Sequence, residues 1–154
     1  MAFIKLVTNI QAPVKRCFDL SRSIDLHLHS MKDSTEQAIA GKTTGLIGLN
    51  ETVTWRARHF GIWMKMTVKI TALHYPHSFT DQMVKGPFKL LPHTHYFAAE
   101  GNVTVMTDEF EFESPLGFFG KIADLVFLKQ YMKRLLKKRN YSLTQAALAV
   151  PVKQ

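Results

Sequence analysis

The chain has 154 residues, of which 46% are hydrophobic and 21% charged, and its formal net charge is +8. This length fits one domain with one core, and the ordinary balance of apolar and charged residues excludes a disordered chain. A single cysteine, Cys17, excludes an intrachain disulfide and a cysteine-based zinc cluster. This cysteine usage, without a signal-peptide pattern or an apolar run of membrane-spanning length, predicts a cytoplasmic protein.

The N-terminal part of the chain predicts one strand followed by two short helices. Residues 3–10 alternate in a way that is typical of a strand. Pro13 favours the start of a first helix, and Ser23 is a suitable cap for a second. After Glu36 the pattern changes to a period of two residues. Residues 36–41 and 43–61 therefore predict strands that are joined by glycine-containing turns.

The middle of the chain predicts a run of antiparallel strands. In residues 63–73 the apolar side chains fall on one face and Lys and Thr on the other, which indicates a half-buried strand. Residues 78–86, 89–101 and 103–115 predict three more strands. In the last of these, the acidic residue Asp108 shares a face with apolar neighbours, so we expect it to point into the interior.

A long helix is predicted at residues 118–139 because apolar residues recur there at helical spacing. This apolar stripe consists of Phe118, Ile122, Leu125, Leu128, Met132, Leu135 and Leu136. Residues 141–154 predict a loosely held tail. Meandering strands with segregated helices indicate a single α+β domain over residues 1–154, in which the C-terminal helix covers the apolar face of a curved sheet.

Several stretches, in this order and at this spacing, resemble the START/Bet v 1-like superfamily, and within it small bacterial proteins of the polyketide cyclase/dehydrase-like type. They are "IQAPVKRCFDLSRSIDLH", "GLNETVTWRARHFG", "HSFTDQMVKGPFK", "HTHYF" and "MTDEFEFESPLGFFGKIAD". The resemblance implies a helix-grip fold: a curved seven-stranded antiparallel sheet around a long helix at residues 117–140, with two short helices after the first strand. It implies a cavity for small hydrophobic ligands. It implies no single chemistry, because one fold can host many functions.

The sequence "HTHYF" places His93, His95 and Phe97 on one face of a strand. Two histidines at this spacing could share a metal ion with Asp81 or Asp108. No motif specifies the third or fourth ligand that such a site needs, so we predict neither a metal nor a cofactor. A second interpretation makes His95 and Asp108 the general acid and base of a cyclase/dehydratase-type enzyme. A purely structural pair would produce the same pattern.

The interpretation we prefer is a pocket in which a few polar groups lie among apolar walls. The predicted ligand-binding residues are Trp55, Asp81, Met83, His93, His95, Phe97, Asp108, Phe110, Phe112, Leu128 and Met132. The alternative is a closed core that these side chains fill. The leading prediction is thus a noncatalytic domain that binds a lipid-like or aromatic hydrophobic molecule.

The C-terminal region carries much of the positive charge. Its basic residues are Lys121, Lys129, Lys133, Arg134, Lys137, Lys138 and Arg139. We expect a solvated helix face and no nucleic-acid binding, because no nucleic-acid-binding motif accompanies the charge. This basic helix could instead serve surface interactions with a partner protein or make weak contact with an anionic membrane. The edge of the first strand and the broad apolar helix also permit a homodimer.

Overall fold

A computed structural model describes residues 1–149, in which seven antiparallel strands form one curved sheet. The strands are β1 (Ala2–Ile10), β2 (Gln37–Gly41), β3 (Thr52–His59), β4 (Ile62–His74), β5 (Ser78–Lys85), β6 (Pro92–Glu100) and β7 (Val103–Phe112). Their order in the sheet is β1-β7-β6-β5-β4-β3-β2. Strands β2 to β7 therefore form a meander, β1 returns beside β7, and β1 and β2 are the two edges.

The helices follow the predicted order. Two short helices, α1 (Val14–Ser21) and α2 (Ile24–Ser30), connect β1 to β2 across the open side of the sheet. The Ser23 hydroxyl accepts a hydrogen bond of 3.2 Å from the Leu26 amide, which confirms the predicted cap. After β7 come α3 (Gly117–Ala123), a π-helical turn (Asp124–Leu128) and α4 (Lys129–Ala149). The predicted helix-grip arrangement is confirmed.

The C-terminal helix is longer than the sequence predicted. We expected it to end at residue 140, but α4 continues to Ala149. Leu143 and Ala147 are both 1% exposed, and they continue the buried face of the helix beyond Leu136. The Arg16 guanidinium also donates a hydrogen bond of 3.1 Å to the Ala147 carbonyl. Residues 150–154 of the predicted tail lie outside the described residues.

The beginning of the predicted helix differs in a second way. The sequence predicted that its apolar stripe is buried from residue 118 onward, but Phe118 and Ile122 are 73% and 46% exposed. Helix α3 continues directly into the π-helical turn and has few contacts with the sheet. We call residues 116–127 the apolar segment. Its exposed large apolar side chains are Leu116, Phe118, Phe119, Ile122, Val126 and Phe127.

The strand predicted at residues 43–61 begins only at Thr52. The first part of the preceding loop forms hydrogen bonds with the start of α2. The Gly45 amide donates to the Asp25 carboxylate at 2.9 Å, and the Ile24 amide donates to the Gly45 carbonyl at 2.9 Å. A loop whose polar groups are satisfied in this way has no need of strand pairing.

The buried apolar residues form two clusters between the sheet and the helices. The larger cluster contains Phe18, Met106 and Leu143, and the smaller contains Phe112 and Leu136. None of the helices within residues 1–149 has the length and hydropathy of a membrane-spanning segment. The two clusters fix the positions of the strands that carry the polar residues described next.

Candidate functional site

A cavity of about 240 Å³ lies between the sheet and α4, and most of its lining is apolar. It is larger than the cavity of roughly 150 Å³ that takes up benzene in an engineered protein core. It lies below the range of about 300–1,000 Å³ that is common for ligand pockets. Phe60 lines the cavity, and 63% of the Phe60 surface is exposed to solvent. The cavity therefore reaches the protein surface beside this residue.

Most of the predicted binding residues lie along this cavity. They are Trp55, Asp81, His93, His95, Phe110, Leu128 and Met132. Their positions agree with the predicted wall of the pocket, and their part in binding remains a prediction. The strands contribute the first five, and the π-helical turn and α4 contribute the last two.

Three of the predicted binding residues do not line the cavity, because neighbouring groups cover these side chains. Met83 packs over Gly86, where an added Cβ would lie 2.5 Å from its sulfur. The Phe97 ring lies 5.2 Å from that of Phe18 in α1, and it belongs to the larger core cluster. Phe112 is fully buried in the smaller cluster. Each faces inward as predicted, but none of the three lines the cavity.

Strands β5, β6 and β7 bring four polar residues together, and we call these the polar cluster. Asp81 is paired with His93 across β5 and β6, and His95 with Asp108 across β6 and β7. Paired positions on adjacent antiparallel strands point to the same face, so all four side chains meet. Asp108 does not line the cavity, because it lies behind the two imidazoles.

A single oxygen of Asp108 accepts hydrogen bonds from both imidazoles. Oδ1 lies 3.0 Å from His93 Nε2 and 2.8 Å from His95 Nδ1. The other nitrogen of His95, Nε2, lies 2.9 Å from Asp81 Oδ2. Both ring nitrogens of His95 therefore lie within hydrogen-bonding distance of a carboxylate oxygen.

The second nitrogen of His93, Nδ1, is not hydrogen-bonded to a carboxylate, unlike the second nitrogen of His95. Because Asp108 accepts from Nε2, neutral His93 carries its proton there and has a lone pair on Nδ1. This Nδ1 lies 4.0 Å from Asp81 Oδ2, which is beyond hydrogen-bonding distance. Among residues 1–149, His93 Nδ1 therefore has no hydrogen bond, although His93 lines the cavity. It is available to a molecule in the cavity.

Burial and neighbouring charges set the ionisation of the cluster. Burial opposes the ionisation of Asp108, but hydrogen bonds from His93 and His95 and the charge of Arg139 hold its pKa well below the usual range. Burial also opposes the ionisation of Asp81, but the His95 hydrogen bond and the nearby positive charges together lower the pKa of Asp81. Burial, and then the charge of His95, lower the pKa of His93. At neutral pH both carboxylates are ionised and His93 is neutral.

Two residues of α4 support Asp108 from the helix side. The Asn140 amide donates a hydrogen bond of 2.7 Å to Asp108 Oδ2. The Arg139 guanidinium lies 3.5 Å from Asp108 Oδ1, and it donates to the Ser21 carbonyl at 3.1 Å. Neither role was predicted from the sequence, which indicated a solvated basic face for Arg139. The signal was available in the helical period, which places both residues on the face of the buried Leu143.

The entrance of the cavity contains a second polar contact that the sequence analysis missed. His59 Nδ1 lies 2.6 Å from the Tyr131 hydroxyl, and the Phe60 ring lies 4.5 Å from the Tyr131 ring. Burial raises the pKa of Tyr131, so its hydroxyl remains protonated at neutral pH. This contact connects β3 to α4 at the surface end of the cavity.

Comparison with solved structures finds the same fold at low sequence identity. TTHA0849 from Thermus thermophilus matches with a TM-score of 0.77 and 17% identity, over 96% of this chain and 98% of that chain. Ara h 8.0201 matches with a TM-score of 0.68 and 13% identity, over 97% and 99% of the two chains. A START superfamily protein from Mycobacterium smegmatis matches with a TM-score of 0.67 and 10% identity, over 94% and 96%.

No family model and no curated protein sequence matches the chain. The structural matches show that the chain has the helix-grip fold of START and Bet v 1-like proteins, as the sequence predicted. They carry no information on the reaction or ligand, because one fold hosts many functions. The function is therefore argued from the cavity and the polar cluster.

Proposed function

We propose that the protein binds a small hydrophobic molecule in the cavity and holds one polar group of that molecule at the polar cluster. The observation that carries this proposal is that His93 Nδ1, at the wall of a mostly apolar cavity, has no hydrogen bond to any residue that the structure describes. Small-molecule sites commonly combine apolar walls with a few polar groups that fix the orientation of the ligand.

The cavity favours a particular chemical class of ligand. Its volume of about 240 Å³ suits a molecule larger than benzene, such as a compound with two fused rings or a short acyl chain. A hydroxyl on that molecule would donate a hydrogen bond to His93 Nδ1, which contributes about 0.5–1.5 kcal/mol to binding. Such lipid-like or aromatic alcohols and phenols are the ligands we propose.

A cavity-filling variant tests the proposal. Ala57 lines the cavity and is 5% exposed, so the substitution Ala57→Phe places a ring in the space that the ligand would occupy. We expect the fluorescent probe phenylnaphthylamine to bind the unmodified protein and to bind this variant at least about tenfold more weakly, which is a loss of about 1.4 kcal/mol. Ala98→Phe is the control, because Ala98 lies on the exposed face of β6. Equal binding by both variants would contradict the proposal.

The geometry favours a binding protein over an enzyme that uses His95 and Asp108 as acid and base. Both nitrogens of His95 face carboxylate oxygens, at 2.8 and 2.9 Å. A general base needs a nitrogen within hydrogen-bonding distance of the substrate, and of these two histidines only His93 offers one. Catalysis of the cyclase/dehydratase type remains the alternative, and His93 is then the residue whose substitution should abolish it.

A second proposal concerns the surface beside the entrance, where we infer that the apolar segment contacts an anionic membrane. The segment leads directly into Leu128, which lines the cavity, and it exposes Phe118, Phe119 and Phe127 by 70–79%. Large exposed apolar patches are uncommon on proteins that have no partner. Residues 117–149 contain seven Lys and Arg residues, of which only Arg139, beside the polar cluster, is buried, and their single acid, Asp124, is also buried. A negatively charged lipid surface complements both features.

Vesicle flotation tests the membrane proposal. We expect binding to vesicles that contain phosphatidylglycerol, weaker binding to pure phosphatidylcholine vesicles, and a loss of binding as salt is raised. Phe119→Glu should reduce binding at least about tenfold, while Val7→Glu, on the exposed face of β1, should not. The double substitution Lys133→Glu and Lys137→Glu should reduce only the charge-dependent part of the vesicle binding. Equal flotation of all variants would contradict the proposal.

A homodimer, which the sequence permits, would use the same surface differently. Light scattering distinguishes the two, because a dimer that covers the apolar segment would dissociate in Phe119→Glu and not in Val7→Glu. A stable dimer with this behaviour, without vesicle binding, would replace the membrane proposal. A dimer through the β1 edge would instead respond to changes in that strand.

A further inference from the structure

Three side chains of the polar cluster bring metal-coordinating atoms together. We propose that Asp81, His93 and His95 bind a divalent transition-metal ion, such as Zn²⁺, at the wall of the cavity. One potential donor atom from each residue lies within 4.8 Å of the other two. Two imidazole nitrogens and one carboxylate oxygen are a recurring donor set of three-residue zinc and non-haem iron sites.

The donor atoms are His93 Nδ1, His95 Nε2 and Asp81 Oδ2. Oδ2 of Asp81 lies 2.9 Å from the donor nitrogen of His95 and 4.0 Å from that of His93. A metal with bonds of about 2.0–2.2 Å holds its donor atoms roughly 3–4 Å apart, so small side-chain rotations would suffice. The sequence predicted no metal because no motif named a third ligand, and the pairing of Asp81 with His93 across the strands supplies one.

In each imidazole, the ring nitrogen that is not a proposed metal ligand is hydrogen-bonded to the buried carboxylate of Asp108. Asp108 Oδ1 accepts from His93 Nε2 and His95 Nδ1, and Asn140 in turn donates to Asp108 Oδ2. Metal-binding histidines almost always donate their second N–H to a carboxylate, carbonyl or water, which fixes the tautomer and the orientation of the ring. Here that arrangement turns both remaining nitrogens towards Asp81, as a shared metal requires.

The cavity gives a bound ion access to a further donor. Asp81, His93 and His95 line the cavity, so the other coordination positions of the ion would face it. An oxygen of a bound alcohol, phenol or carboxylate could occupy such a position. The metal ion would take the His93 Nδ1 lone pair, so in the metal-bound protein the polar group of a ligand would bind the ion instead of Nδ1. The inference goes beyond the proposed function, and metal binding can be measured without any organic ligand.

A proton competes with the metal ion for the position between His95 Nε2 and Asp81 Oδ2. In the metal-free protein a hydrogen bond joins His95 Nε2 to Asp81 Oδ2 at 2.9 Å. A metal ion would displace the proton on Nε2 to solvent and take its place between the two side chains. Two ionised carboxylates, Asp81 and Asp108, then lie close enough to balance the charge of a divalent ion.

Titration with Co²⁺, whose visible spectrum reports protein coordination, tests the site. The protein is prepared without an affinity tag, stripped with a chelator and titrated, and Zn²⁺ is then added to displace Co²⁺. We expect one Co²⁺ per chain in the unmodified protein. Loss of a residue that only supports the metal ligands typically weakens metal binding by roughly 10–100-fold. His93→Gln and Asp81→Asn each remove a proposed ligand, so each should weaken Co²⁺ binding by more than this. His77→Gln is the control, because His77 is an exposed turn residue.

A measurement on the unmodified protein keeps the test valid if a variant fails to fold. Long-range proton–nitrogen NMR spectra of the histidines identify which ring nitrogen binds Zn²⁺. We expect the resonances of His93 Nδ1 and His95 Nε2 to move to metal-bound positions. The proposal is overturned if Co²⁺ gives no visible absorption, if all variants bind equally, or if Zn²⁺ moves only other histidine nitrogens.

Discussion

The two ends of the C-terminal helical region both carry large apolar side chains, and these side chains lie in opposite environments. In α4, the buried face formed by Leu136, Leu143 and Ala147 packs against the sheet and the short helices. In the apolar segment, Phe118 and Phe127 are at least 70% exposed. The same kind of stripe thus supports the polar cluster at one end and forms a surface beside the cavity entrance at the other. Apolar spacing predicts a helix, but it does not by itself identify what the helix covers.

The largest effect should appear at the buried end, when the support of Asp108 is removed. Arg139→Met leaves the buried Asp108 carboxylate without a nearby positive guanidinium, and we expect a loss of about 3–5 kcal/mol in the free energy of unfolding. Lys137→Met, on the exposed side of the same helix, should change it by less than about 0.5 kcal/mol. Urea denaturation measures both. Equal effects would show that Arg139 is solvated, as the sequence first indicated.

A somewhat smaller contrast is expected for apolar truncations. Leu143→Ala creates a cavity at a position that is 1% exposed, and it should cost about 2–5 kcal/mol. Phe119→Ala removes a larger side chain at a position that is 79% exposed, and it should cost less than about 0.5 kcal/mol. Thermal or urea unfolding compares the two. If Phe119→Ala destabilised the protein as much as Leu143→Ala, the apolar segment would be part of the core in solution.

Hydrogen exchange should reveal the smallest difference. The π-helical turn begins at the buried Asp124, whose Oδ2 accepts from the Ser114 amide at 2.9 Å. Its Oδ1 has no hydrogen-bond partner within residues 1–149, which weakens the turn locally. We expect the amides of α3 and this turn to exchange faster than those at the centre of α4. Uniform protection along all three elements would contradict this difference.

The sequence predicted the faces of the strands well. Alternation in β6 and β7 placed His93, His95 and Asp108 on the inner face, and the strand register confirms this. It could not predict which inner residues line the cavity, because that depends on where the helices lie. Phe97 is covered by Phe18 of α1, a contact between residues distant in the sequence.

The two residues of α4 that support the polar cluster were also not predicted, and the reason is different. Arg139 lies in a run of basic residues, and composition alone indicates a solvated face. The buried role of Arg139 and Asn140 depends on the position of Asp108 on a distant strand. A charged residue at the helical period of buried neighbours is the signal that would have identified it.

A crystal structure of the protein purified without added ligand, together with native mass spectrometry of the same sample, tests the central claim most directly. The account predicts an open cavity and a copurified small molecule, with a polar atom within hydrogen-bonding distance of His93 Nδ1. A closed interior, in which side chains occupy the cavity and His93 Nδ1 bonds to a protein group, would contradict it. The polar cluster would then be a structural network, and the search for function would move to the apolar segment.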